Sequence, residues 1–402
     1  IYFACLLIVG IPLFIGELVI GRASSRAAVL AYDSLDRRRV GARSIGWFGA
    51  LASFLIMSFY SVIAGWGMSY IMMSVTGLYS KGETAIRGAF TALSTSGGTS
   101  LIWHGLFTLI TMGVVLGGVR KGIEFWTKHM TRLLLIMLLF FFLYGITLPG
   151  FSEACRFIFL PNASGVTLSG ALEALGLAFW TLSIGQGIMI SYGSYMKKGD
   201  NIPRLAAIIG SAVALVSVLA ALTIFPVVFT FGVEPAAGYG LVFETLPLLF
   251  AKLPGGSLLS ALFFTLFVFT ALTSAIPLIE VVATNIMEVW NVSRRKAVIC
   301  VGCATFFCGI PSTYARTGVV FPEWQAIYGS TFLETVNLLV SNWIIPVGGL
   351  LSALFIGWRL DATLCERELW SRRFFAVWRV CIRYFVPITI GVILAEKSGV
   401  FG

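Results

Sequence analysis

Apolar stretches long enough to cross about 30 Å of hydrocarbon recur from one end of this 402-residue chain to the other. Ten stand out, at 1–20, 46–75, 101–119, 132–149, 171–195, 205–231, 257–289, 297–312, 332–357 and 374–395. Composition agrees with a chain built mainly for lipid. Hydrophobic residues make up 58% and charged residues 11%, and the mean hydropathy is +0.93. No soluble domain of this length has that balance. The expected fold class is therefore an all-α, polytopic membrane protein.

The net charge of +10 raises the question of a nucleic-acid partner, and its distribution answers it. Arg22, Arg26, Arg37, Arg38, Arg39 and Arg43 fill the first loop, and Arg120, Lys121, Lys128 and Arg132 the third. Lys197, Lys198 and Arg204 fill the fifth, Arg294, Arg295 and Lys296 the seventh, and Arg359, Arg367, Arg372, Arg373, Arg379 and Arg383 flank the ninth. The intervening loops hold only Lys81, Arg87, Arg156, Lys252 and Arg316. Alternation of this kind orients a protein in a bilayer, basic loops inside, so no nucleic-acid partner is expected. With the first basic loop cytoplasmic, span 1–20 begins outside. We expect one further span before Ile1, in preference to a cleaved signal peptide.

Few local features point to chemistry. Cys300-x-x-Cys303 resembles half a metal site but lies in an apolar helix without a second pair, and Cys5, Cys308 and Cys381 are also in apolar segments, so packing is the better reading. His104 and His129 have no nucleophile partner. Asn162-Ala163-Ser164 fits a glycosylation acceptor. Neither a Walker A motif nor a dinucleotide fingerprint is present. The chain is not expected to be an enzyme or to need a cofactor.

Polar groups inside the spans carry more weight, because they are costly there. The stretch "LAFWTLSIGQGIMISYGSY", 177–195, holds Thr181, Ser183, Gln186 and a Gly185-x-Gly187 pair at its centre. One reading is a helix–helix contact through small residues. The other is a broken helix whose free backbone groups face a ligand. Glu17 lies in "GIPLFIGELVIGR", with an internal structural hydrogen bond as its plainer reading. Thr273 and Ser274 in "FTALTSAIPLIE" either bond back to their own helix or face a ligand, and Glu280 follows them. Tyr60, in "IMSFYSVIAGW", is either a packed aromatic or a donor to a ligand.

Together "GIPLFIGELVIGR", "GGVRKGIEF", "TLSIGQG…SYGSY", "GYGLVFETLP" and "FFTLFVFTALTSAIPLIE" resemble a prokaryotic neurotransmitter:sodium symporter, from Ile1 to about Gly402. The resemblance implies one transmembrane domain, 1–402, made of the family's helices 2 to 11 and lacking the first, in an inverted-repeat fold of five plus five helices. It implies sodium-coupled symport of a neutral amino acid or related amine by alternating access, in the cell (inner) membrane. Residues 171–195 match the sixth helix, with 179–187 its unwound centre. Tyr60 matches a tyrosine that binds the substrate carboxylate, while Trp180 and Gln186 replace an aromatic lid and a pocket aromatic. Ile56 and Ser183 match pocket positions. Thr270, Thr273 and Ser274 match the second sodium site and Thr181 the first. Glu17, Gly185 and Gly187 match gating or structural positions. Val213 falls where the first sodium site usually has asparagine, which implies coupling mainly to one sodium ion. Tyr2, Thr181 and Ser217 match a chloride site whose glutamine is replaced by Leu177, which argues against chloride coupling. Asn337, with Glu334 near it, stands at an acidic outer-gate position. The competing readings are an unrelated carrier or channel, a membrane enzyme and a non-functional fragment.

Overall fold

The computed structural model describes residues 1–36, 41–160, 167–233, 238–369 and 371–398. Arg37, Arg38, Arg39 and the Asn162–Ser164 acceptor lie outside them, and nothing further is said of those positions. Among the described residues every regular element is helical. Nine helices are long and apolar enough to cross a membrane. The tenth expected crossing, 171–195, is the one that is interrupted.

In chain order the elements used below are α1 (Tyr2–Ser24), α2 (Ala28–Leu35), α3 (Ala42–Val75), α4 (Glu83–Thr95), α5 (Gly97–Leu116), α6 (Lys121–Ile146), α7 (Phe151–Phe159), α8 (Leu168–Leu182), α9 (Ile188–Ser194) and α10 (Ile202–Thr230). They continue as α11 (Leu241–Ala251), α12 (Gly256–Trp290), α13 (Arg294–Thr313), α14 (Trp324–Tyr328), α15 (Phe332–Arg359), α16 (Ala362–Leu369) and α17 (Arg372–Glu396). Most boundaries fall within a few residues of the apolar stretches. The exception is α6, which begins eleven residues before the expected 132. Its first turns carry the exposed Lys121, Lys128 and Arg132, residue types that can keep their charged ends in water from within a helix.

Proline shapes several spans without ending them. Pro12, Pro247, Pro346 and Pro387 each stand two residues beyond a wide π turn, at Leu6–Gly10, Leu241–Thr245, Val340–Ile344 and Cys381–Phe385. Proline has no N–H to give to the turn before it and its ring crowds the carbonyl there. A wider turn relieves that crowding and lets the helix continue.

At the centre of the bundle α3 and α12 pack along one another more extensively than any other pair. Their outer halves meet in an aromatic cluster in which Tyr70 lies 4.6 Å from Phe264, and Phe90 stacks on Phe243 at 5.4 Å. The Tyr70 hydroxyl donates to the Phe243 carbonyl at 2.6 Å, pinning α11 onto α3.

On the opposite side all five basic loops are tied together. The buried Arg22 guanidinium, at the end of α1, pairs with Glu368 of α16 and donates to the Asp200 and Glu368 carbonyls. Arg294 pairs with the fully buried Glu280, which also accepts from the Tyr195 hydroxyl at 2.9 Å, and donates to the Val115 carbonyl at 3.0 Å. Charges this deeply placed persist only when paired. These contacts put the five loops on one face, as their shared basic character requires.

Candidate functional site

The site is built around the interruption between α8 and α9. The helix holds through Leu182, so the break is Ser183–Gly187, shorter than the 179–187 expected. Three residues there adopt left-handed backbone: Ser183 (φ +53°), Gly185 (φ +78°) and Gly187 (φ +74°). Glycine bears no β-carbon penalty in that region, while Ser183 is held there against about 1–2 kcal/mol. The break also needs close approach. A β-carbon on Gly185 would lie 2.7 Å from the Gly349 nitrogen and the Ile345 carbonyl oxygen of α15.

A break at membrane depth exposes backbone that lipid cannot satisfy, and side chains from other spans supply partners. The Gly185 N–H donates to Glu17 Oε1 at 2.9 Å, and the Gln186 carbonyl accepts from Ser53 Oγ at 3.0 Å. Glu17 Oε1 also accepts from Ser352 Oγ at 3.2 Å, and Ser352 meets the Tyr32 hydroxyl at 2.6 Å. Glu17 thus has the structural hydrogen bond considered from sequence, made directly to the break. Ser53, Ser352 and Tyr32 were not singled out. Ser53 had a signal: it lies three residues before Ile56 and seven before Tyr60, on the same helical face. Ser352 and Tyr32 had none.

Beside the break lies a cavity of about 470 Å³. Its walls include Ile56 and Tyr60 from α3, Trp180 and Thr181 from α8, and Ser183 and Gln186 from the break. Val213 and Ser217 of α10 and Thr270 and Ser274 of α12 complete the positions named from sequence. Residues from four separated parts of the chain are thereby brought to one space. Glu17 stands behind the break and not on the wall. Thr273 is also off the wall, but its hydroxyl donates to the Thr270 carbonyl at 2.9 Å, as Ser274 does at 3.2 Å. The back-bonding reading of this pair is therefore realised, and it gathers three oxygens at one point of α12. Tyr60 and Ser274 line the same cavity, which brings the α3 phenol to the side of that cluster.

The positions compared with an anion site are partly joined. Tyr2 Oη lies 3.1 Å from Thr181 Oγ1, whereas Ser217 Oγ donates to its own helix at the Val213 carbonyl, 2.8 Å away. Leu177 is about half exposed and does not line the cavity. Towards the outer face, Glu334 caps α15 by accepting from the Thr331 N–H at 2.8 Å. Burial first, and the Glu334 carboxylate second, raise the Tyr239 phenol above its ordinary pKa. Asn337 accepts from Ser341 within α15, at 3.3 Å.

Other sequence candidates lie elsewhere. Cys300, Cys303 and Cys308 are exposed on α13 with free thiols. His104 is buried and bonds the Phe306 carbonyl at 3.1 Å, while His129 is exposed and bonds the Phe125 carbonyl at 2.7 Å. Among the described residues no three His, Cys, Asp or Glu side chains converge as a metal site.

Comparison with known proteins places this geometry. Residues 1–83 and 91–400 match the Sodium:neurotransmitter symporter family. The chain belongs to that family. The chain is 34% identical over 400 residues to the uncharacterized sodium-dependent transporter YhdH of Bacillus subtilis, covering 98% of this chain and 88% of the relative. An uncharacterized sodium-dependent transporter of Haemophilus influenzae is 29% identical over 408 residues, with the same two coverages. Among solved structures, that of MhsT in complex with L-phenylalanine is similar with a TM-score of 0.90 at 34% identity, over 98% of this chain and 89% of that one. The chain thus has the all-α, inverted-repeat membrane fold expected of it, in a family of transporters and not of catalysts. Its mid-membrane cavity accordingly calls for a reading as a place for a solute.

Proposed function

We propose that the protein couples sodium entry to uptake of a neutral amino acid or related amine across the cell (inner) membrane, by alternating access within one transmembrane domain. The observation that carries this reading is the convergence, on one cavity of about 470 Å³, of the α8–α9 break, the Tyr60 phenol and the Thr270–Ser274 oxygens. A broken helix offers unpaired N–H groups to a carboxylate and carbonyls to a cation. Hydroxyl and carbonyl oxygens are hard ligands suited to sodium, which is cargo here. A phenol binds a carboxylate without neutralising it, so release stays possible. L-Phenylalanine in the MhsT complex supports the amino-acid class. Ser217 and Tyr2 face this region without the glutamine of a chloride set, which favours transport independent of chloride.

Sodium-gradient-driven uptake of labelled amino acids into proteoliposomes tests the reading, and counterflow separates a carrier from a channel. Flux through an open pore, or none with any amino acid or amine, would refute it. Tyr60→Phe keeps the ring and removes the donor. A hydrogen bond to a charged group is worth about 1.5–3 kcal/mol, so substrate affinity should fall roughly ten- to a hundredfold. Unchanged affinity in a folded variant assigns Tyr60 to packing alone.

Gln186 carries the expectation for the side-chain end of the substrate. It is 3% exposed and lines the cavity. A buried amide needs partners, which favours a polar side chain over a purely aliphatic one. A competition panel in which leucine or isoleucine outcompetes every polar amino acid rejects that preference.

A further inference from the structure

Behind the break runs a chain of buried hydrogen bonds that ends on the cytoplasmic side, in α2. Its direction follows from proton counting. Ser352 has one hydroxyl proton and gives it to Glu17 Oε1 at 3.2 Å. The 2.6 Å contact between Ser352 and Tyr32 is therefore one in which the phenol donates. Glu17 Oε1 in turn accepts from the Gly185 N–H at 2.9 Å. Tyr32, Ser352 and Glu17 are 1%, 3% and 0% exposed, so water does not compete for these bonds and each polarises the next.

The helix at the other end of this chain has a second attachment. The backbone N–H groups that open α2 are capped by side chains of α12. Val29 N–H donates to Asn285 Oδ1 at 2.8 Å, and Ala27 N–H to both Glu288 oxygens at 3.0 Å. α12 is the helix that carries Thr270, Thr273 and Ser274. A short cytoplasmic helix is thus held by the break at its Tyr32 face and by the oxygen-bearing span at its N-terminus.

We infer that Tyr32 and Ser352 are positioning residues for the substrate site. They hold Glu17 against the Gly185 N–H, set the shape of the break, and make α2 the element in which occupancy of the cavity is felt on the cytoplasmic side. This rests on the transport reading above. Neither Tyr32 nor Ser352 lines the cavity. Their effect passes through Glu17. Because coupling between sites is reciprocal, a solute that firms the break also firms α2.

Tyr32→Phe removes the donor and leaves the ring, which packs edge-on against Phe355 at 4.9 Å. Loss of one buried hydrogen bond that acts through a second predicts a rise in the half-saturation concentration for substrate of about three- to tenfold. The maximal rate should stay within about twofold on the same estimate. Ser352→Ala should behave alike, and Ser352→Thr, which restores a hydroxyl, should recover most of the loss. The second readout is amide hydrogen exchange over 28–36 in the full-length protein in lipid. Saturating substrate should slow it in the unmutated protein, and this protection should be lost in Tyr32→Phe. An unchanged half-saturation concentration together with undiminished protection of α2 in Tyr32→Phe overturns the inference. So does a Ser352→Thr variant no better than Ser352→Ala. Failure of the transport reading is separate: the unmutated protein itself would then show no sodium-dependent uptake.

Discussion

Gly185→Ala should abolish transport and lower stability by about 2–5 kcal/mol, the sum of two costs. Left-handed backbone with a β-carbon costs about 1–2 kcal/mol, and Gly185 sits at φ +78°. Forcing atoms into a filled contact costs about 1–3 kcal/mol more. The new methyl would meet backbone of Ile345 and Gly349 at 2.7 Å, which cannot swing aside as a side chain can. Gly348→Ala separates the two costs, because its β-carbon would meet the Gly185 carbonyl oxygen at 2.3 Å without any left-handed strain. Gly113→Ala, with open space around it, serves as the control. Uptake and thermal unfolding in detergent, measured on all three, give the expected order. Wild-type uptake by Gly185→Ala would show that the break is not shaped by this contact.

The second large effect is expected at the α12 oxygens. Thr273→Val preserves shape and removes a hydroxyl that bonds the Thr270 carbonyl without lining the cavity. A charge-assisted contact of about 1.5–3 kcal/mol corresponds to a ten- to hundredfold rise in the sodium concentration for half-maximal uptake. Substrate affinity at saturating sodium should change far less. Ser274→Ala should raise both, because Ser274, unlike Thr273, lines the cavity together with Tyr60. Val213 lines the same cavity and offers no side-chain oxygen, so transport should run with mainly one sodium ion per substrate, and Val213→Asn should strengthen sodium binding. Sodium activation curves and reversal potentials check these points. Identical curves for wild type and Thr273→Val, or two ions per substrate in the unmutated protein, would remove α12 or Val213 from the account.

Much of this was legible before any coordinates. Spans announce themselves because lipid demands an unbroken apolar run, and a break in one shows as two glycines among hydroxyls. For that reason Thr181, Ser183, Gly185, Gln186 and Gly187 could be marked, and Tyr60 and Ser274 stood out as polar groups in apolar helices. What holds the break could not be read in the same way. Glu17 and Gly185 are 168 positions apart, and Glu17 and Ser352 are 335 apart. Contacts between spans leave no periodic trace in either. α2 was hidden for a different reason. It sits in a basic loop, and its N-terminal cap comes from Asn285 and Glu288 of another helix, so no local capping residue marks it. The early start of α6 escaped because lysine and arginine there mimic a loop.

Pro277 stands inside α12, three residues beyond Ser274 and eleven before Glu288. A proline within a helix removes one rung of its ladder and leaves a natural fulcrum. The arm from that fulcrum to Glu288 is about 16 Å at 1.5 Å per residue. Swinging it by about 10° moves its tip by about 3 Å, the full length of a hydrogen bond. The grip on the Ala27 and Val29 amides is therefore a latch with a long handle. A rotation too small to disturb the oxygens around Thr270 is large enough, at the far end, to let the cytoplasmic helix go.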